Sequence, residues 1–413
     1  MTNARPLIAL CALLLCGAAV RAEPDEDALG KAWGYPVGGP STWYAPAHRV
    51  GAWSAMDRVG VPVRGVARGA DVMPLPEVAN PPAIRYRWRN IGYTLDDYLE
   101  RRRVTGLLIL KNGEIVAQRY RYARTPESRF LSFSMAKSIT SLLVGIALDK
   151  GLITSLDDPA ARYVKELEGS AYGGTPIRHL LRMSSGVRFT ERYDGNDDIA
   201  RLSRAIAGQG PRPLALLRSF DERIAPAGEK FAYATAETEV LGRVLTGATG
   251  KTLAELTSEW LWKPLGAEHD AFWRVGVDGQ EQAGGGFNAT LRDWGRLGVL
   301  LAQDGQRDGR PIVPREYLLD ATDAARQPRA FAPRSATPFF GYGYQFWLYP
   351  LKTRTLALQG IHGQTLYVQP STGIVMVQTA VYDQASGRTD PEPPAERDAL
   401  WRGVLAALGG SLD

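Results

Sequence analysis

"FLSFSMAKSITSLLVGIALDKG", residues 130–151, is the stretch that decides the fold. Its apolar side chains recur at the spacing of one helical face, and Gly151 stands where a helix would end. The stretch therefore predicts an amphipathic helix. Ser134 and Lys137 lie one helical turn apart at its start, so they share a face. Ser134 is either a helix cap or a nucleophile.

Capping is the more common role for a serine at this place, because its side-chain oxygen satisfies a backbone N–H of the helix. The charge of Lys137 argues against a purely structural role, since a cation in the first turn opposes the helix dipole. The chain has 9 lysines, and Ser134 to Lys137 is its only Ser-x-x-Lys match. A buried amine at this distance can take the hydroxyl proton, and the Ser134 N–H can stabilise an oxyanion. The pair predicts a nucleophile with its base.

The flanking segments predict an α+β fold. In "TGLLILKNGEIVAQRY", residues 105–120, two β-rich runs flank Asn112-Gly113, a pair typical of a tight hairpin turn. Helical patterns fill most of the middle of the chain, and strands return before a closing helix. The simplest architecture is one antiparallel β-sheet built from both ends of the chain, flanked by helices, with an inserted mainly helical domain.

The same patterns predict the division of the chain. We expect a signal peptide at residues 1–22 and an N-terminal wrapping segment at 23–90, which is rich in Pro, Gly and aromatic residues and has no clear periodicity. An α/β sheet domain should comprise residues 91–160 and 295–413, and a mainly helical domain residues 161–294.

Residues 1–22 combine a basic residue, an apolar run and small residues, the pattern of a secretory signal. We expect cleavage after Ala22 and a periplasmic protein. Cys11 and Cys16, the only cysteines, lie in this segment, and lipidation of Cys16 is the alternative interpretation. No later run reaches the roughly 18 apolar residues of a membrane span. The formal net charge is +5, and no basic block interleaved with aromatics indicates a nucleic-acid partner.

Further motifs follow the opening stretch in order: "IRHLLRMSSGV", "FAYATAETEVLG", "PLGAEHDAFW", "GGGFNATLRDWGRLG", "GYGYQFW" and "GIHGQTLYVQP". Together they resemble the serine β-lactamase and penicillin-binding protein-like family. The likeness is strongest to its class C and esterase branch, and within that to 6-aminohexanoate-dimer hydrolases. The resemblance implies a β-lactamase/transpeptidase-like fold. It also implies that Ser134 is the nucleophile, Lys137 its paired base and Tyr233 a general acid or base.

Two motifs depart from the family pattern. Thr235 stands where the family usually has Asn, and we interpret it as a helix cap. The family's Lys-Ser/Thr-Gly element reads "IHGQ" here, residues 361–364. Aligned on Gly363, Ile361 takes the lysine position, His362 the hydroxyl position, and the Gln364 N–H becomes the second oxyanion donor. A shift by one residue puts His362 at the lysine position instead. Neither alignment supplies a lysine to hold a substrate carboxylate, which argues against β-lactamase and carboxypeptidase activity.

Other site interpretations are weaker. Tyr193 lies in a loop that helps to bind the scissile group in amide-hydrolysing relatives. A Ser-His-Asp triad through His362 is conceivable, although the G-x-S-x-G elbow is missing. No spacing of His, Asp and Glu indicates a metal site, and the chemistry needs no cofactor.

The sequence thus predicts an exported serine hydrolase that cleaves an ester or a small amide through an acyl-enzyme on Ser134. A β-lactamase or D-alanyl-D-alanine carboxypeptidase is the alternative within the same fold. A non-catalytic module that binds a cell-wall fragment is the alternative of another class.

Overall fold

The computed structural model describes residues 24–413. The predicted signal peptide and both cysteines lie outside the described residues. Within residues 24–413, no helix is both long enough and apolar enough to span a membrane.

The strands fall mainly in the first third and the last third of the chain. They are β1 Val63–Val66, β2 Arg85–Trp88, β3 Ile91–Thr94, β4 Val104–Lys111, β5 Glu114–Tyr120, β6 Arg129–Leu131, β7 Ala271–Arg274, β8 Phe287–Thr290, β9 Gln306–Arg307, β10 Arg310–Pro311, β11 Gly341–Tyr342, β12 Trp347–Leu348, β13 Leu356–Gly360, β14 Gln364–Gln369 and β15 Ile374–Ala380.

Helix α1 precedes the first strand, and the other helices lie between or after the strands. A π-helical turn, Thr257–Trp262, separates α8 from α9. The helices are α1 Pro46–Ala52, α2 Leu95–Arg101, α3 Ala136–Asp149, α4 Ile177–Leu181, α5 Asp198–Ile206, α6 Pro213–Ser219, α7 Thr235–Thr249, α8 Leu253–Leu256, α9 Lys263–Leu265, α10 Leu291–Ala302, α11 Arg315–Thr322 and α12 Glu392–Ala407.

The main sheet joins the two ends of the chain. Its seven strands are ordered β11-β12-β13-β14-β15-β4-β5, and all neighbours are antiparallel. Asn112 and Gly113 both have positive φ, at 51° and 85°, so the predicted hairpin between β4 and β5 is confirmed. The α+β fold, with a sheet made from both ends of the chain, is confirmed as well.

Both faces of this sheet are covered by helices. Leu108 and Leu110 of β4 belong to the core that contains α3 and α10. Leu107 and Ile109 point to the other side, into a core shared with Trp401 of α12. This alternation follows from the two-residue period of a strand. The sheet is therefore the middle layer, and α3 lies on one side of it.

The N-terminal segment and the middle of the chain contain elements that the sequence patterns did not predict. The wrapping segment holds the helix α1 and the strands β1 and β2. Strands β7 and β8, in the region predicted as mainly helical, form a second sheet of order β1-β7-β8-β6. Their four-residue runs are too short for periodicity to identify. The predicted domain boundaries stay predictions.

Helix α3 is buried on every side from Ala136 to Ala147, not along one face only. Its polar side chains are satisfied by carbonyl oxygens of neighbouring segments. Ser138 donates to the Gln345 carbonyl at 2.7 Å and Thr140 to the Ala283 carbonyl at 3.0 Å. Because buried hydroxyls with partners cost little, the helix can pass through the core and fix its first turn in place.

Candidate active site

Ser134 lies in a 3₁₀ turn, Phe133–Met135, that leads directly into α3. Phe133 has φ 44°, a left-handed conformation that a bulky residue rarely adopts. Neither this turn nor α3 receives a side-chain cap hydrogen bond. The capping interpretation of Ser134 is therefore wrong, and its hydroxyl is available for other contacts. A strained residue beside a candidate nucleophile is typical of functional turns.

Lys137 points at that hydroxyl. Its Nζ lies 2.9 Å from the Ser134 Oγ and donates to the Gly284 carbonyl at 2.8 Å. Only 1% of Lys137 is exposed. Burial lowers the pKa of Lys137 to about 8, against a smaller opposing effect of the Glu191 and Glu239 carboxylates. A lysine with this pKa is neutral in part of the molecules at neutral pH and can accept the serine proton.

Gly284 holds the lysine, and sequence reasoning assigned it no role. Its N–H donates to the Glu239 carboxylate at 2.9 Å. A Cβ at this position would lie 2.6 Å from the Thr235 methyl group and 3.5 Å from the Lys137 Nζ. Only glycine lets the backbone approach the lysine this closely. The triple glycine in "GGGFNAT" is the sequence signal that could have indicated this close approach of the backbone.

Tyr233 completes a cluster with Ser134 and Lys137. Its ring centroid lies 5.1 Å from the Lys137 Nζ, and its ring stacks on Trp347 at 5.5 Å. Burial and the Glu191 carboxylate raise the pKa of the Tyr233 phenol, while a hydrogen bond with the Ser134 hydroxyl lowers it by less. The phenol therefore keeps its proton at neutral pH and can act as a proton donor.

Glu191 binds a second tyrosine of the cavity and raises the pKa of Tyr233 through its charge, and no sequence signal pointed to it. Its carboxylate accepts from the Tyr193 hydroxyl at 2.7 Å, from the Thr235 hydroxyl at 2.8 Å and from the Thr235 N–H at 2.7 Å. Thr235 is the first residue of α7 and caps nothing, so the cap interpretation of Thr235 is wrong. It binds the buried Glu191 instead.

Tyr193 lies at the cavity, as predicted for a substrate-contacting residue, and its role there stays a prediction. It has φ 63°, and its N–H donates to the buried Asp197 carboxylate at 2.7 Å. The same carboxylate oxygen accepts from the Arg192 N–H, and Asp197 caps α5. Asp197 thus holds the loop in the shape that brings the Tyr193 hydroxyl to Glu191.

A cavity of about 240 Å³ opens at Ser134. One wall is aromatic, with Phe231, Tyr233 and Trp347. Another wall contains the segment from β13 into the following turn, the residues that lead into α12 and the first turns of α12. Its lining residues there include Gln359, Gly360, Ile361, Gly363, Arg388, Asp390 and Arg397. A pocket of this size, mostly apolar with a few polar groups, suits a small organic substrate.

The "IHGQ" motif reaches the cavity through Ile361 and Gly363, not through Gln364. Gln364 begins β14 opposite Gly360, and its buried side chain donates to the Ala380 carbonyl at 2.7 Å. Ser134 and Ile361 both line the cavity, and among residues 24–413 neither of their N–H groups donates to a protein acceptor. Ile361 therefore presents an N–H without a protein acceptor at the cavity, whereas Gln364 does not line the cavity.

His362 faces away from the cavity, which corrects the interpretation that it contacts substrate. Its Nδ1 donates to the Tyr382 carbonyl at 2.7 Å, so Nε2 is left to accept from the Tyr44 hydroxyl. The ring lies 4.8 Å from Trp53. Burial lowers the pKa of His362 to about 4. This neutral ring ties the N-terminal segment to the turn after β13, and a Ser-His-Asp triad is excluded.

Within the part of the chain that the structure describes, no group of three or more His, Cys, Asp or Glu side chains is placed to hold a metal ion.

A family model described as Beta-lactamase matches residues 94–399, more than half of the chain. The chain belongs to the beta-lactamase family. Two of its curated relatives are named as a hydrolase and an esterase. The 6-aminohexanoate-dimer hydrolase of Paenarthrobacter ureafaciens is 27% identical over 382 residues, covering 90% of this chain and 93% of that protein. Esterase EstB of Burkholderia gladioli is 26% identical, covering 74% and 93%.

Solved structures show the same beta-lactamase fold. A Bacillus anthracis structure, whose name assigns it provisionally to the 6-aminohexanoate-dimer hydrolases, superposes with a TM-score of 0.77 at 22% identity, covering 88% of this chain and 96% of that one. EstCE1, a hydrolase with promiscuous acyltransferase activity, superposes with a TM-score of 0.60 at 18% identity, covering 74% and 96%. The family model and the curated relatives establish a serine hydrolase of the Ser-x-x-Lys type.

Proposed function

We propose that this serine hydrolase cleaves an ester or a small amide bond through an acyl-enzyme on Ser134. The observation that carries the proposal is the contact of 2.9 Å between the Ser134 Oγ and the Nζ of the fully buried Lys137. A serine becomes a strong nucleophile only when a base takes its proton. Lys137 offers such a base without any rearrangement of the site.

The first step is attack of the Ser134 Oγ on the substrate carbonyl carbon. The Oγ–C bond forms while the hydroxyl proton passes to neutral Lys137. The Ser134 N–H and the Ile361 N–H lie at the cavity without a protein acceptor, so we assign both to the developing oxyanion. Collapse of this tetrahedral intermediate breaks the bond to the leaving group.

The leaving group needs a proton, and we assign its supply to Tyr233. Because its pKa is raised, the phenol is protonated when the leaving group departs. Lys137, now an ammonium, lies against the same ring and can restore the proton. Water then attacks the acyl-enzyme with Lys137 as base, and the acid product leaves with Ser134 regenerated.

The test combines an activity panel with covalent labelling. The purified protein should hydrolyse short-chain 4-nitrophenyl esters or linear amide dimers, and a fluorophosphonate probe should label it. Ser134→Ala should abolish both signals. Ser138→Ala, a serine of α3 whose hydroxyl bonds to the Gln345 carbonyl away from the cavity, is the matched control and should retain both. Labelling that survives in Ser134→Ala would refute the assignment.

The rival functions have their own outcomes in the same panel. Turnover of a chromogenic cephalosporin or of D-alanyl peptides at the rate found for the esters would favour β-lactamase or D-alanyl-D-alanine carboxypeptidase activity. Absence of labelling and of all turnover would favour a non-catalytic module that binds a cell-wall fragment.

A further inference from the structure

The two residues that flank the assigned oxyanion donors have strained backbones. Phe133 precedes Ser134 and has φ 44°. His362 follows Ile361 and has φ 59°. Neither is a glycine or an asparagine, the residues that adopt this conformation most easily. Because such strain persists only where the surroundings hold the residue in place, the position of both donor N–H groups depends on whatever holds Phe133 and His362.

One ring of the N-terminal segment packs against both strained residues. The Trp53 ring lies 5.0 Å from the Phe133 ring, edge to face, and 4.8 Å from the His362 ring. Trp53 is 3% exposed, and its two neighbours are buried with it. Its indole N–H is also buried and donates to no acceptor within residues 24–413. Trp53 therefore acts on Phe133 and His362 through the packing of its ring and not through a hydrogen bond.

The main chain of Trp53 is anchored on the strand that leads to Ser134. Its carbonyl accepts from the Leu131 N–H of β6 at 2.7 Å, and the neighbouring Ser54 carbonyl accepts from the Arg129 N–H at 3.2 Å. Strand β6 ends at Leu131, shortly before the nucleophile. The Trp53 ring is therefore fixed relative to the turn that contains Ser134.

Helix α1, which Trp53 directly follows, is anchored on the chain beside His362. Arg49 of α1 donates through Nη1 to the carbonyls of Tyr382 and Asp383, at 3.3 and 3.0 Å. The Tyr382 carbonyl also accepts from the His362 Nδ1 at 2.7 Å, so Arg49 and His362 share one acceptor. The N-terminal segment thus bridges the two parts of the chain that carry the donors.

These two parts of the chain also touch directly, and a glycine permits the contact. A Cβ on Gly360, the last residue of β13, would lie 2.4 Å from the Ser132 carbonyl oxygen and 3.2 Å from the Phe133 Cβ. A larger residue would push the two segments apart. The spacing of the donor N–H groups is therefore set by this contact together with the packing of Trp53.

We propose that Trp53 is a positioning residue for the oxyanion hole. Its ring holds Phe133 and His362 in their strained conformations, and this fixes the direction of the two donor N–H groups. The proposal rests on the proposed function, because it concerns the same reaction. Donors that are fixed before the reaction stabilise an oxyanion without reorganisation. Loss of the ring should therefore weaken stabilisation of the transition state.

The test compares 4-nitrophenyl butanoate with its thionoester, in which sulfur replaces the carbonyl oxygen. Sulfur is larger than oxygen and a weaker acceptor, so it gains less from the donor N–H groups. Wild type should favour the ester in kcat/KM. Trp53→Leu should lower kcat/KM for the ester by about 10²-fold, and the ester-to-thionoester ratio should fall by roughly tenfold or more. General damage to the fold would lower both rates alike and leave this ratio unchanged.

Two further variants show whether the ring itself is responsible. Trp53→Phe keeps a ring at this position and loses only an N–H that has no partner in the described chain, so it should restore most of the ratio. Trp43→Leu is the matched control in the same segment, because the ring of Trp43 contacts Tyr44 and Arg274, and its ratio should stay at the wild-type value. An unchanged ratio in Trp53→Leu, or an equal fall in Trp43→Leu, would overturn the proposal.

Trp53→Met keeps the test valid if Trp53→Leu does not fold, because methionine is long and adaptable, fills more of the space and still lacks a ring. Urea denaturation identifies the variants that are folded in the assay. A folded Trp53→Met protein with the wild-type ratio would contradict the role of Trp53. Loss of all ester turnover with no labelling of wild-type Ser134 would refute the proposed function instead, so the two failures are distinguishable.

Discussion

Two buried cations share one cavity and differ in how the protein treats them. Lys137 is surrounded by its own partners, the Ser134 hydroxyl and the Gly284 carbonyl, and burial lowers its pKa to about 8. In the described chain, the buried Nε–H of Arg397 has no hydrogen-bond partner. The buried side-chain Nε2 of the neighbouring Gln359 has none either. Lys137 can therefore lose its proton near neutral pH, whereas Arg397 cannot.

Burial alone does not define a role for a cation. A lysine loses its charge in a dry site at moderate cost, which makes it a base. An arginine stays charged in such a site and needs an anion. We therefore propose that Lys137 transfers the proton, whereas Arg397 keeps its charge in the cavity wall.

The largest effect is expected for Lys137→Ala. Removal of the base should lower kcat/KM for the neutral 4-nitrophenyl ester by about 10³-fold, within the range of general-base contributions. Lys150→Ala, at the exposed end of the same helix, should leave the rate close to wild type. A similar loss in both variants would show that damage to the helix, and not removal of the base, lowers kcat/KM.

Gly284→Ala should disturb the hydrogen bond between the Gly284 carbonyl and the Lys137 Nζ without changing Lys137 itself. The added Cβ would lie 2.6 Å from the Thr235 methyl group, so the Gly284 carbonyl and its lysine must move. A displacement of about 1 Å at a reacting group can cost about 10²-fold in rate. Gly285→Ala is the control, because its nearest neighbour would be 3.9 Å away, and it should keep most of the activity.

The pH dependence should distinguish the two cations. Because neutral Lys137 is the active form and its pKa is lowered to about 8, kcat/KM should rise about tenfold per unit below pH 8 and level off above it. Arg397 stays charged throughout, so it contributes no titration to this profile. Steady-state kinetics on the neutral 4-nitrophenyl ester measures the profile.

Glu237 provides the control for this profile, because burial raises the pKa of its carboxyl to about 8 as well. If Lys137 is the base, Glu237→Gln should keep the rise with pH. A flat profile in Glu237→Gln would assign the titration to the carboxyl group and contradict the role of Lys137.

The smallest effect on catalysis is expected for Tyr44→Phe, which concerns a titratable group outside the cavity. The change removes the donor to the His362 Nε2 and should lower the free energy of unfolding by about 1–3 kcal/mol. Urea denaturation measures this loss, and kcat/KM should change little. A large loss of activity at unchanged stability would instead place His362 in the reaction.

Local patterns in the sequence were enough for the central pair and for much of the fold. Ser134 and Lys137 are one helical turn apart, so their contact follows from helix geometry alone. Asn112-Gly113 identified the hairpin for a similarly local reason, because both residues accept positive φ. Tyr233 needed the resemblance to a family, since its contact with Ser134 spans a long stretch of chain.

Other site residues left no recognisable signal. Glu191 and Arg397 are ordinary charged residues in sequence, and only tertiary packing buries them at one cavity. For His362, in contrast, the sequence contained a signal, and that signal was misleading. Its place in the "IHGQ" motif indicated a substrate contact, but the ring hydrogen-bonds between Tyr382 and Tyr44, away from the cavity.

The sequence by itself determined the nucleophile candidate, its base and an α+β fold, because these depend on contacts between residues close in the chain or on patterns repeated along it. Tertiary structure alone decided which groups surround them. Gly284 holds the lysine, Ile361 rather than Gln364 lines the cavity, and Arg397 lies buried in the cavity wall beside Gln359. The physical reason is that burial and unmet hydrogen bonds arise only when distant segments pack together.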